Sequence, residues 1–306
     1  MIASAVQWLP SSVHFGPRLA ETLGIAGHAV MLHRFPDGEL RATVGPAAAT
    51  TIVCCSLDLP DEKLIALLLA AEALRRNGAM RLVLVAPYLS YMRQDAAFHP
   101  GEAISQRAIG TLLANNFDRI VTFDAHLHRT SNLADVFPGA EADNLSAAPA
   151  IEALLRADPV SASTVVVGPD EESRHWVGKI AGRLGLSYSV AQKIRKTDQS
   201  VQVTWSDPTL FADRPVVLID DIVSSGGTLI ACGQALTAAG ASSIQAIVVH
   251  ALFPPSLMPT FSRAGIRSIR STNSVQHPTN AISLDNLLAG ALRNELVGEP
   301  VNGSPT

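Results

Sequence analysis

Short apolar runs alternate with longer runs of helical periodicity along almost the whole chain. Ile52–Cys55, Leu82–Ala86, Ile120–Phe123, Thr164–Val167, Ser187–Ala191, Ile244–Val249 and Ile266–Ser271 read as strands. Between them lie Glu62–Asn77, Ile104–Asn116, Pro149–Arg156, Trp176–Leu184 and Leu229–Ala239, which read as helices. The first of these carries Leu64, Leu67, Leu68 and Ala71 on one face and stops at Gly78. Alternation of this kind predicts an α/β chain with mainly parallel sheets flanked by helices. An irregular loop is expected through Pro138–Asn144, after which the alternation restarts. With 306 residues the expectation is two domains, each with its own core, and a boundary near residues 145–148. Leu284–Leu296 reads as a final amphipathic helix, and the Gly-, Pro- and Ser-rich end, 298–306, as a frayed tail.

Composition narrows the setting. Hydrophobic residues make up 47% and charged residues 16%, which describes a compact globular protein. A net charge of −4 points away from nucleic acid and from an anionic membrane surface. The longest apolar stretch, Leu64–Leu74, is interrupted by Glu72 and is too short to span a bilayer. The N-terminus lacks the pattern of a signal peptide. Cys54 and Cys55 are adjacent and Cys232 is distant, so no disulfide framework is expected and a reducing cytoplasm is the simplest setting.

Val216–Thr228 carries the densest chemistry. Four apolar residues, Val216 to Ile219, read as a buried strand that ends at Asp220 and Asp221. The loop Ser224-Ser225-Gly226-Gly227-Thr228 follows, and then a helix. Glycines let backbone N–H groups approach a phosphate, and the helix N-terminus adds partial positive charge. The hydroxyls of Ser224, Ser225 and Thr228 can donate to the same oxygens, and the two carboxylates can accept from ribose hydroxyls. The competing explanation is a strand–turn–helix junction with Ser/Thr capping. The acid pair at the strand end favours the sugar-phosphate reading.

Other polar clusters also follow strands, where ligands of open α/β sheets bind. Arg93-Gln94-Asp95 follows Leu82–Ala86 and suits phosphate contacts, or is a solvated loop. Asp124 and His126 share a face if extended and could meet a metal-bound phosphate; alternatively the histidine bonds a loop carbonyl. No cysteine cluster or third histidine supports zinc. Asp170, in Gly168-Pro169-Asp170-Glu171-Glu172-Ser173-Arg174, offers an oxygen ligand for Mg²⁺ or a helix cap. Lys193 and Arg195 alternate onto one face of a polar stretch that could close over a phosphate chain, or form an exposed hairpin. Arg34-Phe35-Pro36-Asp37-Gly38-Glu39 offers a ring and two acids to a base, or a Pro-Asp-Gly turn between strands.

The Asp220–Thr228 loop resembles the 5-phosphoribosyl-1-pyrophosphate (PRPP) binding loop of type I phosphoribosyltransferases and PRPP synthetases. Arg-Phe-x-Asp-Gly-Glu, Tyr-x-Arg-Gln-Asp, Asp-x-His, Pro-Asp and Lys-x-Arg precede it in that order. This combination, from about Phe35 to Arg293, resembles the ribose-phosphate pyrophosphokinase (PRPP synthetase) family. A plain phosphoribosyltransferase would have only the last loop. The resemblance implies two phosphoribosyltransferase type I-like domains: 1–146 binding ATP, 147–283 binding ribose 5-phosphate, and 284–297 packing back on the first. It implies a Mg²⁺-dependent transfer of the β,γ-diphosphoryl group of ATP to the 1-hydroxyl of ribose 5-phosphate, giving PRPP and AMP. Phe35, Asp37 and Glu39 would hold adenine, from a neighbouring subunit of a homodimer or larger homo-oligomer. Arg93, Gln94 and His126 would contact ATP. His126 and Asp170 would hold Mg²⁺. Lys193 and Arg195 would stabilise the transferring group. Asp220 and Asp221 would hold the ribose hydroxyls, with Ser224, Ser225, Gly226, Gly227 and Thr228 around the 5-phosphate. Ala96, Glu171–Ser173, Ser224 and the short Ser271–Ser274 segment depart from the common bacterial pattern and look like the divergent, archaeal-type branch. Competing functions are a catalytically weak regulatory paralogue and a PRPP-using transferase.

Overall fold

A computed structural model of the chain describes residues 3–127, 129–130, 132–197 and 200–296; the expected tail at 298–306 lies outside the described residues. The chain divides into two compact units, residues up to Leu145 together with those from Leu284 onward, and Ser146–Ser283.

In the first unit the order is β1 (Ser4–Trp8), α1 (Gly16–Leu23), β2 (Ala26–Ala29), β3 (Met31–Arg34), β4 (Leu40–Thr43), β5 (Thr50–Cys54), α2 (Pro60–Arg76), β6 (Arg81–Val85), α3 (Ser105–Ala114), β7 (Arg119–Phe123) and β8 (Glu141–Leu145). Six strands form one sheet in the order β2-β1-β5-β6-β7-β8. Every pairing in it is parallel. Strands β3 and β4 form a separate antiparallel hairpin. The core gathers Val53, Leu67, Leu74, Leu84, Phe117 and Ile120 between sheet and helices. Helix α2 starts on Pro60 with Asp61 and Glu62 in its first turn and ends on Arg75 and Arg76, so its charges oppose the helix dipole at both ends.

The second unit runs α4 (Ala148–Ala157), β9 (Val165–Gly168), α5 (Arg174–Leu184), β10 (Ser187–Val190), β11 (Gln192–Thr197), β12 (Ser200–Thr204), β13 (Pro215–Val223), α6 (Gly227–Ala238), β14 (Ser243–Ala251), α7 (Met258–Arg263), β15 (Ile266–Thr272) and β16 (Asn280–Ile282). Its sheet order is β10-β9-β13-β14-β15-β16, again parallel throughout. Its own antiparallel hairpin is β11–β12. The two units thus share one topology. In each, the second sheet strand lies outside the first, the third lies on the other side, and a hairpin is inserted between second and third. Strand order therefore reverses between β1 and β5 in one unit and between β9 and β13 in the other, the place where open α/β sheets bind ligands.

The final segment, α8 (Asp285–Leu292) and a 3-10 turn to Glu295, belongs to the first unit and packs on α1. Arg18 of α1 donates to Asp285 at 2.7 Å. The Glu295 carboxylate, only 6% exposed, takes both Arg81 and Arg119. Both arginines lie at the start of sheet strands, so a carboxylate late in the chain neutralises the strand origins of β6 and β7. No helix among the described residues is long and apolar enough to cross a membrane.

Two sequence expectations need correction, and a third segment is decided between its two readings. The loop expected through Pro138–Asn144 contains strand β8, which pairs with β7 from Arg119↔Glu141 to Phe123↔Leu145. Its residues are polar because it is an edge strand, and Asp143 pairs with Arg119 at 2.7 Å. The strand expected to end at Asp220 continues to Val223, because β14 runs on to Ala251 and pairs with the extra residues. Asp220 and Asp221 therefore sit within a strand. Of the two readings of Lys193–Lys196, the hairpin is the one found: the segment lies on strand β11, paired with β12.

Candidate functional site

The second unit places its candidate residues at the switch point. Strand β13 lies between β9 and β14, and its last residues carry Asp220 and Asp221. Asp220 is buried at 7% exposure, while Asp221 is half-buried and its Oδ1 accepts the Ile222 N–H at 2.8 Å. Ser224 and Ser225 are exposed, and Gly227 opens α6. The first N–H groups of a helix have no partner within it, so Gly227 and Thr228 present donors to an anion in front of the loop. Gly226 makes this geometry possible. Its φ is +77°, and a Cβ there would lie 2.7 Å from the Phe261 ring. A side chain at this position would be strained in backbone and in space alike.

On the other side of the switch point, β9 ends at Gly168, and Asp170 caps the 3-10 turn Glu171–Ser173 by accepting the Ser173 N–H at 3.2 Å. Gly168 has no room for a side chain, since a Cβ would meet Ser173 Oγ at 2.0 Å. The capping explanation for Asp170 thus describes one of its bonds. Glu171 is paired with Arg174, which holds the Glu171 carboxyl below its usual value. Lys193 and Arg195 fall two apart on β11, opposite Val203 and Val201 of β12. Their side chains lie outside the described part of the structure.

In the first unit the candidate residues follow β6 and β7, away from that unit's own switch point. Arg93 is exposed and Gln94 half-buried in the segment after β6; His126 is half-buried in the segment after β7. Two residues beside them hold left-handed backbone without being glycine, Tyr91 at φ 65° and Asp124 at φ 36°. Such strain persists only where surrounding contacts enforce it, and it concentrates at functional sites. The contacts are present. The Tyr91 hydroxyl donates to Asp61 at 2.5 Å, the Asp124 N–H to the Leu145 carbonyl at 2.8 Å, and the Ala125 N–H to Asn144 Oδ1 at 2.8 Å. The Ser105 hydroxyl donates to Gln94 Oε1 at 2.6 Å, which ties the segment to the start of α3.

Phe35, Asp37 and Glu39 stand at the tip of the β3–β4 hairpin. All three are exposed, Phe35 at 36%. The turn reading is realised: Asp37 Oδ1 accepts the Glu39 N–H at 3.1 Å. Arg41 lies 5.7 Å from the centre of the Phe35 ring. Two cavities flank the exposed Arg34–Glu62 ion pair at the turn end of the hairpin. One, of about 320 Å³, is lined by Ser11, Leu32, Arg34 and Lys63 among others. The other, of about 480 Å³, includes Glu39, Asp61 and Ile65 in its lining. Neither reaches Arg93 or His126.

Among the described residues no three His, Cys, Asp or Glu side chains converge. An ion held by one or two protein groups plus substrate phosphates, as Mg²⁺ is, requires no such cage. Burial pushes the Cys55 thiol up to about 12, and raises Cys54 further, so neither is a nucleophile at neutral pH. Sequence spacing missed Arg129, whose partner Asp95 it had placed only as the end of a motif. An ion pair across two loops leaves no periodic signal.

The N-terminal domain of ribose phosphate pyrophosphokinase matches residues 7–116, and the phosphoribosyl transferase domain matches residues 150–257. The chain is 33% identical over 284 residues to the ribose-phosphate pyrophosphokinase of Methanopyrus kandleri, across 92% of this chain and 96% of that protein. It is 32% identical over 273 residues to that of Thermococcus kodakarensis, across 88% and 95%. The crystal structure of phosphoribosylpyrophosphate synthetase from Mycobacterium smegmatis has the same fold, with a TM-score of 0.81 at 23% identity over 95% of this chain and 98% of that one.

Proposed function

The chain belongs to the ribose-phosphate pyrophosphokinase family, and from that we infer that it transfers the β,γ-diphosphoryl group of ATP to the 1-hydroxyl of ribose 5-phosphate, giving PRPP and AMP. The observation that carries this reading is the end of β13, where two acids, a positive-φ glycine and the start of α6 meet at the switch point. Asp220 and Asp221 accept from the ribose hydroxyls, and Ser224–Thr228 take the 5-phosphate on hydroxyl and backbone donors.

The remaining roles are those the family resemblance implies, and position and charge support them. Arg93 and Gln94 bind the ATP phosphates. Lys193 and Arg195 supply positive charge where negative charge builds on the transferring group. In-line attack on the β-phosphorus needs positioning and charge neutralisation, and no covalent step from the protein. His126 and Asp170 would hold Mg²⁺, whose contribution is to neutralise phosphate charge. Phe35, Asp37 and Glu39 hold adenine from a neighbouring subunit, a reading supported by their exposure at the turn of the β3–β4 hairpin. The buried free cysteines suit a reducing cytoplasm.

One set of measurements tests these assignments: turnover against Mg²⁺ concentration for wild type, His126→Ala and Asp170→Ala, with oligomeric state followed by light scattering. Each variant is expected to need about tenfold or more additional Mg²⁺ for half-maximal rate. Unchanged Mg²⁺ dependence would remove both residues from the metal. A fully active monomer would remove the shared adenine site.

A further inference from the structure

The segment after β6 and the segment after β7 are fastened together by one ion pair. Asp95 follows directly on Arg93 and Gln94, and its side chain is 1% exposed. Both of its oxygens go to a single residue of the other segment. Oδ1 accepts from the Arg129 guanidinium at 2.7 Å, and Oδ2 from the Arg129 backbone N–H at 2.9 Å. Burial alone would raise the Asp95 carboxyl, but these bonds outweigh it and hold it below the usual range. The Arg129 guanidinium also lies 5.4 Å from the centre of the Phe98 ring, further along the first segment. A second, neutral bridge runs in parallel. Thr130 donates to Gln106 Oε1 at 3.0 Å, and the Gln106 amide donates to the Met92 carbonyl at 3.2 Å.

We propose that Asp95 and Arg129 are positioning residues for the ATP-phosphate half of the site, joining the segment that carries Arg93 and Gln94 to the one that carries His126. The proposal rests on the reading of those residues as ATP contacts. Two physical consequences follow. An ordered segment need not lose its conformational freedom when the nucleotide binds, and preorganisation of this kind appears as affinity. The pair also cancels a carboxylate that would otherwise stand beside the phosphates and repel them. Tyr91, bound to Asp61, pins the near end of the same segment, so Arg93 and Gln94 lie between two anchors. Neither Asp95 nor Arg129 needs to touch the nucleotide to act in this way.

Steady-state kinetics of the full chain separate positioning from general stability. Arg129 has a 61% exposed side chain, so Arg129→Ala is expected to fold; leaving Asp95 without its partner should lower the thermal midpoint by several degrees, and the rates are read well below it. Its KM for ATP should rise about tenfold or more, from loss of a charge-assisted bond and exposure of Asp95. Its KM for ribose 5-phosphate should stay within about twofold, since that half of the reaction is untouched. Arg129→Lys should recover part of the loss. Asp95→Asn combined with Arg129→Ala should also recover part, because the repelling carboxylate is gone while an acceptor remains. An active wild type whose Arg129→Ala variant keeps its ATP KM, or whose two KM values rise together, would overturn the proposal and leave the family reaction standing. A wild type that forms neither AMP nor PRPP would overturn the reading beneath it, and the proposal with it.

Discussion

Lys193→Ala and Arg195→Ala, made separately, are each expected to lower turnover by about 10²–10³. The two residues occupy alternate positions of β11, which places them at register positions of one hairpin face. A cationic pair delivered by a two-stranded arm can meet charge that develops on the transferring phosphoryl group. Donors that act chiefly there affect the rate more than the binding of either substrate. The KM for ribose 5-phosphate should therefore change little, because the contacts proposed for it lie on β13 and the loop before α6. Steady-state rates at saturating ATP and ribose 5-phosphate check this. Turnover near wild type in both variants would take the hairpin out of the chemistry. A large rise in the ribose 5-phosphate KM with unchanged turnover would reassign it to substrate binding.

Glu295→Ala is expected to destabilise the first unit by about 3 kcal/mol, near the lower end of what removing one partner from a buried ion pair costs. The carboxylate is 6% exposed and bridges Arg81 and Arg119, whose side chains are 32% and 11% exposed. Removing it leaves two guanidinium groups short of a counter-charge. The cost is held down because Arg119 keeps Asp143 and Arg81 keeps Glu141. For a unit of this size the thermal midpoint should fall by roughly 6–12 °C.

The same residue gives a pH signature. Burial alone would raise the Glu295 carboxyl, but Arg81 and Arg119 outweigh it and hold it below its ordinary value. A depressed folded-state pKa gives stability that is fully present above the unfolded value of about 4.3 and is lost as pH falls through the folded value. The gap in stability between wild type and Glu295→Ala should therefore be widest near neutral pH and narrow below about pH 4. Denaturation of both proteins from pH 7 to pH 3 checks the slope. A gap under about 1 kcal/mol at pH 7 would mean the bridge is worth no more than an exposed pair. A gap that does not narrow in acid would separate the loss from charge altogether.

The fold was legible in the sequence where burial wrote it plainly. Val83–Val85, Val165–Val167 and Val216–Ile219 are apolar without break because both sheet faces are covered, and each is a strand. Glu141–Leu145 was not legible, because an edge strand buries little and its carboxylates serve arginines on its neighbours. The short edge strand Ala26–Ala29 escaped for the same reason, having almost no buried side chain to mark it. Lys193–Thr197 carries too much charge for the sequence to choose between a loop and an exposed hairpin, and its pairing with Ser200–Thr204 decides it.

The candidate site divides in the same way. The local structure of Asp220–Thr228 could be read because its parts are contiguous: an acid-bearing strand, a glycine turn and a helix follow without interruption. Asp95 and Arg129, or Arg81, Arg119 and Glu295, meet only through the fold, and no spacing rule connects them. The left-handed backbone at Tyr91 and Asp124 was equally invisible, since neither residue type announces a positive φ as glycine does.

The most direct test is the product balance of the purified chain supplied with ATP, Mg²⁺ and ribose 5-phosphate. Transfer of the β,γ-diphosphoryl group predicts AMP and PRPP in equal amounts, with AMP formation dependent on ribose 5-phosphate and no ADP released. ADP as the nucleotide product, or no AMP dependent on ribose 5-phosphate, would contradict the account.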